Sequence, residues 1–296
     1  MSKVENLTKV LKRGHENGYA VGSFSPRYTK LILPIVKAAI DTASPVIIQI
    51  SEKEVYRHKV AIHDFAKEFF RVMDELQPSV PVVLHLDHTK DFEIIKQAIA
   101  AGFTSVMIDA SEHEFDKNVE ITKQTVAYAH PHGVTVEAEL GKIGTTDFVE
   151  TDHDEEFFTI PEEAKEFCEL TKVDALAVSV GTAHGIYTVR QPRIDYDRLE
   201  NINQLTDTPL VLHGGSGVPS EMVVKAVQMT TGGVSKVNIA TDVEQAMLHT
   251  LGKETHMTEE DLNGYSDEML TKARQSVYEL VKEKMKDYLL SAGKAE

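Results

Sequence analysis

The sequence has one cysteine, no tryptophan and few cationic residues. Its 296 residues include a single thiol, Cys168, and 31 Lys or Arg against 47 Asp or Glu, which gives a formal net charge of −16. A lone thiol excludes an internal disulfide framework and is typical of a reducing cytosol. A field of this sign repels nucleic acid and anionic membranes. We therefore expect a cytoplasmic protein that binds neither of them.

Long apolar runs are also missing. No run approaches the roughly 20 residues that a membrane helix needs. Residues 1–18 form a mixed-charge helical pattern without the apolar centre of a signal peptide. Because the chain is acidic, any anionic ligand would need positive potential made locally, by a metal ion, backbone N–H groups or a few cations.

The sequence does contain a repeated unit, in which short β-branched runs alternate with longer amphipathic segments. The runs are nearly continuously apolar, as parallel strands covered on both faces are. Eight strand candidates are found, at residues 19–25, 45–51, 81–88, 105–111, 135–141, 175–181, 209–214 and 234–241. Between the fifth and sixth, Thr159 and Glu162 have capping-box spacing around Pro161 and predict a helix start.

Polar and ionisable residues stand near the ends of most of these runs, a pattern that favours a closed barrel over an open sheet. An open sheet gathers its ligand at one switch point, whereas a barrel brings many strand ends to one mouth. The prediction is α/β, a (β/α)8 TIM barrel in one domain over residues 1–296. A helical extension over residues 258–292 would pack on the barrel or on a partner subunit.

Three histidines, His88, His184 and His213, follow the third, sixth and seventh runs. One histidine at a strand end is usually structural, but three at equivalent positions fit the catalytic zinc pattern of three protein ligands with one open position. His85, on the opposite face of the third run from His88, is expected to pack in the core or to orient a ligand. The remaining histidines, among them His58 and His256, lie in predicted helices or loops and are expected to be solvated.

Carboxylates accompany these histidines. Asp87 directly precedes His88 and could orient a ligand, serve the structure or act as a general acid/base. Asp109 and Glu139 end the fourth and fifth runs, where they could orient the histidines or bind a second, loosely held cation.

Glycine-rich segments follow the last three runs and could hold a phosphate. They contain Gly185, Gly214 and Ser216, then Asn238 and Thr241. Barrels commonly bind phosphate there, through backbone N–H groups and a helix N-terminus. The alternative is a set of tight turns. The acidic segment 142–159 is either a surface loop or a mobile lid that carries a carboxylate over the substrate.

Taken together, these motifs resemble the class II fructose-bisphosphate/tagatose-bisphosphate aldolase family over about residues 5–250. The segments that carry the resemblance are LHLDH (84–88), SVMIDAS (105–111), VEAELG (136–141), VDALAVSVGTAHGIY (173–187), PLVLHGGSG (209–217) and KVNIAT (236–241).

The resemblance implies a zinc-dependent lyase that cleaves a ketose 1-phosphate or 1,6-bisphosphate to dihydroxyacetone phosphate and an aldehyde. The three histidines would hold the zinc ion, with Asp109 and Glu139 near a second metal or a monovalent cation. Asp87 would be the acid/base at the C4 hydroxyl, and Asp147 or Glu150 in the lid would protonate C3. A homodimer or homotetramer is expected. Substrate-binding positions would be Gly185, Gly214, Ser216, Asn238, Ala240 and Thr241.

Several positions depart from the family pattern, mostly at the far end of the substrate. Ser25-Pro26 stands where an Asn commonly follows the first strand, and Thr89 where Gly follows the Asp-His pair. Ala240 replaces the Asp of fructose-type members, and Asp242–Gln245 lacks the Arg that often grips a distal phosphate. These departures predict tagatose-type or other non-fructose specificity, unless Arg27 or Lys53 holds the second phosphate. A metal-dependent hydrolase and a non-catalytic sugar-phosphate-binding subunit are the alternatives.

Overall fold

Eight parallel strands close into a barrel in the computed structural model, which describes residues 3–143, 157–185, 187 and 191–295. The strands pair in sequence order and β8 pairs with β1, so the predicted (β/α)8 fold is confirmed. The strands are β1 Val21–Phe24, β2 Val46–Ser51, β3 Val82–Thr89, β4 Ser105–Ile108, β5 Thr135–Leu140, β6 Ala175–Val178, β7 Leu210–Leu212 and β8 Val234–Ile239.

Amphipathic helices surround the barrel. The described helices are α1 Leu7–Asn17, α2 Ile32–Asp41, α3 Glu52–His58, α4 Ile62–Leu76, α5 Phe92–Ala100, α6 Phe115–Ala129, α7 Pro161–Thr171, α8 Tyr196–Leu205, α9 Ser220–Val227, α10 Thr241–Leu251, α11 Glu259–Asn263 and α12 Asp267–Glu283. A π-helical turn, Lys284–Tyr288, follows α12. Among the described residues, none of these helices combines the length and the apolar composition of a membrane span.

Alternate residues of each strand face opposite sides, and the two sides are packed differently. Outward residues such as Ile48, Leu84 and Val136 are buried against the helices in one large core. Inward residues at the N-terminal end, including Val83 and Val211, form a smaller apolar cluster that α1 closes with Leu7 and other residues. Further along the strands the inward residues become polar, which places the chemistry at the C-terminal end of the barrel.

The helical extension packs against the barrel wall. In α12, Leu270, Ala273, Val277 and Val281 are buried, and the helix contacts α10 and α2. This arrangement brings the π-helical turn close to the loops after β7 and β8.

One predicted local feature is wrong. Thr159 does not cap α7, whose N-cap residue is Ile160 without a side-chain hydrogen bond. The Thr159 hydroxyl instead donates to the Leu140 carbonyl and accepts from the Ser179 backbone N–H at 2.8 Å. It therefore joins the ends of β5 and β6.

Candidate active site

The three histidines predicted as metal ligands lie together at the barrel mouth. His88 is the penultimate residue of β3, whereas His184 and His213 lie in the segments after β6 and β7. Ring centroids are 4.4 Å apart for His88 and His213, and 4.9 Å apart for His88 and His184. One nitrogen from each ring lies within 4.8 Å of the others. This spacing suits three ligands of one ion.

An irregularity in β3 directs His88 into the mouth. The β3–β4 register shifts between Leu86 and Thr89, and His88 has a φ of 23°, in the left-handed region that L-residues rarely adopt. A bulge of this kind re-aims a side chain that strand alternation would send to the other face. Thus Asp87 and His88 both reach the site, although they are neighbours in sequence.

Carboxylates hold two of the imidazoles. His88 Nδ1 lies 3.0 Å from Asp109 Oδ2, and His213 Nδ1 lies 2.9 Å from Glu139 Oε2. Burial opposes protonation of His88, but the charge of Asp87 and the hydrogen bond to Asp109 outweigh it and raise its pKa to about 10. Burial, followed by repulsion from the other two imidazoles, lowers the pKa of His184 to about 3.

This donor set fits a divalent cation. The Nε2 atom of His88 is buried without a hydrogen-bond partner, an expensive state that a cation would relieve by displacing the proton from this nitrogen. His184 is held as neutral imidazole, the form that ligates metals. His88, Asp109 and Glu139 make a second, overlapping group with donor atoms within 4.8 Å of one another. All five residues predicted to lie at metal sites are therefore brought together.

Asp87 is held at both carboxylate oxygens by amide side chains. Gln49 donates to its Oδ2 at 3.1 Å, and Asn238 donates to its Oδ1 at 3.0 Å. Ser23 in turn donates to the Gln49 carbonyl oxygen. Burial would raise the pKa of Asp87, but the neighbouring His88 and His85, together with Lys236, hold it well below its usual range. Asp87 is thus an oriented, ionised carboxylate.

Sequence reasoning missed a polar layer directly beneath these residues. Lys236 is fully buried, and its Nζ lies 2.7 Å from Glu137 Oε2 and 3.4 Å from His85 Nε2. Glu137 Oε1 lies 2.9 Å from His213 Nε2. The available signal was strand alternation, because Lys236 and Glu137 lie two residues before Asn238 and Glu139 on the same inward faces.

The glycine-rich loops have backbone conformations and close packing that only glycine accommodates easily. Gly185, Gly214 and Gly217 have φ values of 120°, 67° and 73°, and a Cβ on Gly214 would meet the Ala183 carbonyl oxygen at 2.4 Å. Thr241 is the first residue of α10, so the N-terminus of this helix faces the same region. Tight turns next to a helix N-terminus are compatible with a phosphate site, so the two interpretations do not exclude each other.

The C-terminal extension supports this pocket, which the sequence did not predict. Tyr288 donates its hydroxyl to the Gly215 carbonyl, and Lys284 Nζ lies 2.8 Å from Asp242 Oδ2. The Ser216 hydroxyl accepts from the Asp242 backbone N–H at 3.2 Å. Lys284 thus offsets an acidic charge at the edge of the candidate phosphate pocket.

Arg27 lies elsewhere at the mouth, between two acidic residues. Its Nε lies 2.8 Å from Glu54 Oε1 and its Nη1 contacts Glu244. Glu54 follows β2 and Glu244 lies in the first turn of α10, so this cluster joins the loops after β1, β2 and β8. Arg27 is 7% exposed and Glu244 is fully buried.

The expectation that His58 is solvated was wrong. It is fully buried, with Nδ1 2.9 Å from the Met257 carbonyl, whereas His256 is half-exposed and contacts Glu244 at 2.7 Å. His58, His256 and Glu244 form a third group with donor atoms at metal-ligand spacing. Arg27 already neutralises Glu244 there, as Lys236 neutralises Glu137 in the fourth such group, which also contains His85 and Asp87.

Two predicted catalytic residues, Asp147 and Glu150, lie outside the described residues. In the chain order they fall between β5 and α7. Their role as proton donors to C3 stays a prediction.

Comparison with known proteins identifies the family. The family model described as fructose-bisphosphate aldolase class-II matches residues 5–294. The fructose-bisphosphate aldolase of Helicobacter pylori is 36% identical over 302 residues, covering 94% of this chain and 95% of that protein. That of Giardia intestinalis is 38% identical over 268 residues, covering 83% and 81%. The crystal structure of the YdjI aldolase from Escherichia coli K12 superposes with a TM-score of 0.84 at 30% identity, covering 99% of this chain and 100% of that one. The chain therefore belongs to the class II fructose-bisphosphate aldolase family of lyases.

Proposed function

We propose that this aldolase reversibly cleaves a ketose 1-phosphate or 1,6-bisphosphate to dihydroxyacetone phosphate and an aldehyde, with zinc as its metal. The observation that carries the proposal is the juxtaposition of three imidazoles with an oriented carboxylate. His88, His184 and His213 present nitrogens within 4.8 Å of one another, and Asp87 is held beside them by two amide donors. Neither a hydrolase nor a sugar-phosphate-binding subunit accounts for the family membership equally well.

The metal would be held by the three histidines, with Asp109 orienting His88 through Nδ1 and leaving its Nε2 to bind. Zn²⁺ commonly takes three protein nitrogen ligands and keeps one open position. When bound, the ion would supply Lewis acidity toward a carbonyl oxygen, which removes the need for a lysine Schiff base.

Asp87 would take the proton of the C4 hydroxyl as the C3–C4 bond breaks. Its two oxygens are held by Gln49 and Asn238, so the carboxylate is oriented before substrate arrives. Asn238 also has an amide oxygen that is buried without a hydrogen-bond partner. It could therefore accept a substrate hydroxyl while its amide NH₂ holds Asp87 in place.

The phosphate of the dihydroxyacetone phosphate half would lie against the loops containing Gly185, Gly214 and Ser216 and the N-terminus of α10 at Thr241. Backbone N–H groups and a helix N-terminus attract a phosphate without a dedicated side-chain cation. This arrangement makes the local positive potential that a protein of net charge −16 needs.

The substrate would lack a phosphate at its other end, or the protein would bind that second phosphate weakly. Arg27, one of the two cations considered for this role, is ion-paired to both Glu54 and Glu244. One cation between two carboxylates leaves the cluster with a net negative charge, which would repel a distal phosphate. Ala240 has a methyl group where a carboxylate would restrict C4 stereochemistry. Tagatose-type or other non-fructose specificity is therefore favoured.

The test is kcat/KM for cleavage of fructose 1,6-bisphosphate, tagatose 1,6-bisphosphate and fructose 1-phosphate under one set of conditions, with zinc-loaded protein. Tagatose 1,6-bisphosphate or fructose 1-phosphate should equal or exceed fructose 1,6-bisphosphate. A preference of about 100-fold for fructose 1,6-bisphosphate, which is about 2.7 kcal/mol, would overturn the specificity while leaving the aldolase proposal intact.

A pair of variants at position 240 sharpens this test. Ala240→Asp should raise the ratio of kcat/KM for fructose 1,6-bisphosphate over tagatose 1,6-bisphosphate, because a carboxylate can accept hydrogen bonds from acceptor hydroxyls of one configuration. Ala240→Ser adds a polar group without charge and serves as the control. An unchanged ratio in Ala240→Asp would remove this position from the specificity argument.

We also propose that the protein is cytoplasmic and forms a homodimer or a homotetramer.

A further inference from the structure

Lys236 is a charged residue buried inside the barrel, one layer below the candidate active site. It is fully buried in β8, and its Nζ lies 2.7 Å from Glu137 Oε2 and 4.0 Å from Asp87 Oδ1. The layer beneath it is apolar, with Val21, Val83 and other residues. Burying an ion pair carries a large desolvation cost, and apolar residues of similar volume often stabilise a protein equally well. Packing alone therefore gives no reason for a lysine here.

Glu137 connects this lysine to His213. One carboxylate oxygen contacts Lys236 Nζ, and the other lies 2.9 Å from His213 Nε2. With Nε2 tied to Glu137, the His213 ring presents Nδ1 toward Glu139 and the barrel mouth. A histidine that binds metal through one nitrogen usually donates its other N–H to such a carboxylate, which fixes the tautomer and the ring orientation.

We propose that Lys236 is a positioning residue of this aldolase, acting through Glu137 on His213 and by its charge on Asp87. The ammonium group fixes the Glu137 carboxylate, which holds the His213 ring with Nδ1 toward the metal site. The same charge, 4.0 Å from Asp87, offsets one of the carboxylates crowded below the mouth. This inference rests on the proposed function, because it takes His213 as a metal ligand and Asp87 as the catalytic base.

The experiment compares Lys236→Met with the double variant Lys236→Met/Glu137→Gln. The single variant leaves Glu137 buried without its lysine partner and should unfold at a lower temperature. The double variant removes both charges and should recover most of that stability. If the role is positioning, the double variant should still bind zinc about 10- to 100-fold more weakly than wild type, as loss of an outer-shell partner does, and its kcat should stay reduced at saturating zinc.

A purely structural role makes the opposite prediction, since stability, zinc affinity and kcat would then recover together in the double variant. That result would overturn the proposal. Glu137→Gln in the presence of Lys236 is a second route if neither methionine variant folds. It keeps the side-chain volume, and unchanged zinc affinity and kcat in it would equally refute the inference. Lys117→Met, which removes an exposed lysine paired with Glu120, is the control for loss of a positive charge.

Wild-type protein separates this inference from the proposed function. If wild type neither retains zinc nor cleaves any of the ketose phosphates, the proposed function fails. If wild type is active and the Lys236 and Glu137 variants match it, only the positioning role fails.

Discussion

Two sides of the barrel mouth both contain histidines and carboxylates, but only one of them also contains an arginine that neutralises its carboxylates. On the side of β3 to β7, His88, His184 and His213 face one another beside Asp109 and Glu139. On the side of β8, β1 and β2, two histidines and two glutamates surround Arg27. The first set has donor nitrogens within 4.8 Å of one another, and the Nε2 of His88 is buried without a hydrogen-bond partner. The second set has its own guanidinium between its carboxylates.

The difference lies in where the counter-charge comes from. Buried carboxylates need a partner cation, and the chain supplies one at Arg27 and another at Lys236. The three histidines have a spacing that suits a metal ion taken up from solution. The same residue types therefore predict a metal site in one place and a closed ion-pair cluster in the other. Composition alone does not separate them, whereas the position of the nearest Lys or Arg does.

The largest effect is expected from removing one of the three histidines. His213→Ala should lose bound zinc and nearly all turnover, because it removes a fully buried imidazole from the three proposed ligands. Zinc content by elemental analysis and cleavage of a ketose phosphate are the measurements. Wild type dialysed against a chelator should lose activity and regain it with Zn²⁺.

The matched control is His63→Ala, in α4, whose side chain is 80% exposed. It should keep both zinc and turnover. Full activity of metal-free wild type with chelator still present would contradict the metal assignment, and with it the first half of the comparison.

Asp87→Asn should separate chemistry from metal binding. The substitution keeps the shape and one oxygen for Gln49 or Asn238 but removes the charge that accepts a proton. We expect zinc to be retained and kcat to fall about 100-fold or more, within the span of a positioned acid/base. If zinc is lost and kcat of the zinc-saturated variant is normal, Asp87 belongs to the metal site instead.

Arg27→Met should break the closed cluster without touching the metal. Glu54 and Glu244 would be left without their cation, and removal of one partner from a buried ion pair typically costs about 3 kcal/mol or more. The expected result is a lower midpoint in urea unfolding at an unchanged zinc content. A midpoint within experimental error of wild type would mean that the two carboxylates find another partner.

The double variant Arg27→Met/Glu244→Leu tests whether the stability lost in Arg27→Met returns when a carboxylate is removed as well. Removing both charges should recover part of the lost stability, since the remaining glutamate, Glu54, can still accept from Ser25. Recovery in this double variant and loss in the single one would together identify unpaired charge as the cause.

The smallest expected effect is a change in the pH dependence of stability below neutral pH. Burial would raise the pKa of Glu244, but Arg27 and then His256 outweigh it and lower the pKa below the ordinary value of 4.5. A lowered folded-state pKa contributes stability that is present above the unfolded-state value and is lost as pH falls through the folded-state value. Wild type should therefore exceed Glu244→Gln in unfolding midpoint by more at neutral pH than at about pH 4. An equal difference at both pH values would contradict this linkage.

Part of this structure follows from local pattern alone. Eight apolar runs separated by amphipathic segments predict parallel strands with helical crossovers, and reactive residues at most run ends favour a closed barrel. Those features depend on periodicity and on where ionisable side chains fall along each run. The sequence pattern is therefore sufficient to identify His88, His184 and His213 as a group, since equivalent strand ends meet at one mouth.

Other features depend on neighbours distant in the chain. Thr159 has the sequence context of a helix cap, but its hydroxyl forms hydrogen bonds with Leu140 at the end of β5 and with Ser179 just after β6. Alternation along β3 would send His88 away from Asp87, and only the shifted register with β4 brings both into the site.

Hydrophobic periodicity and residue type are local properties, and they are sufficient to predict the barrel, the three histidines and their acidic neighbours. Which acidic residues already have a cation depends instead on how the chain folds. Arg27 is 217 positions from Glu244, and Lys236 is 99 positions from Glu137. Pairings at such separations are set by strand order and register rather than by any local pattern. That is why the closed cluster and the buried lysine appear only in the folded chain.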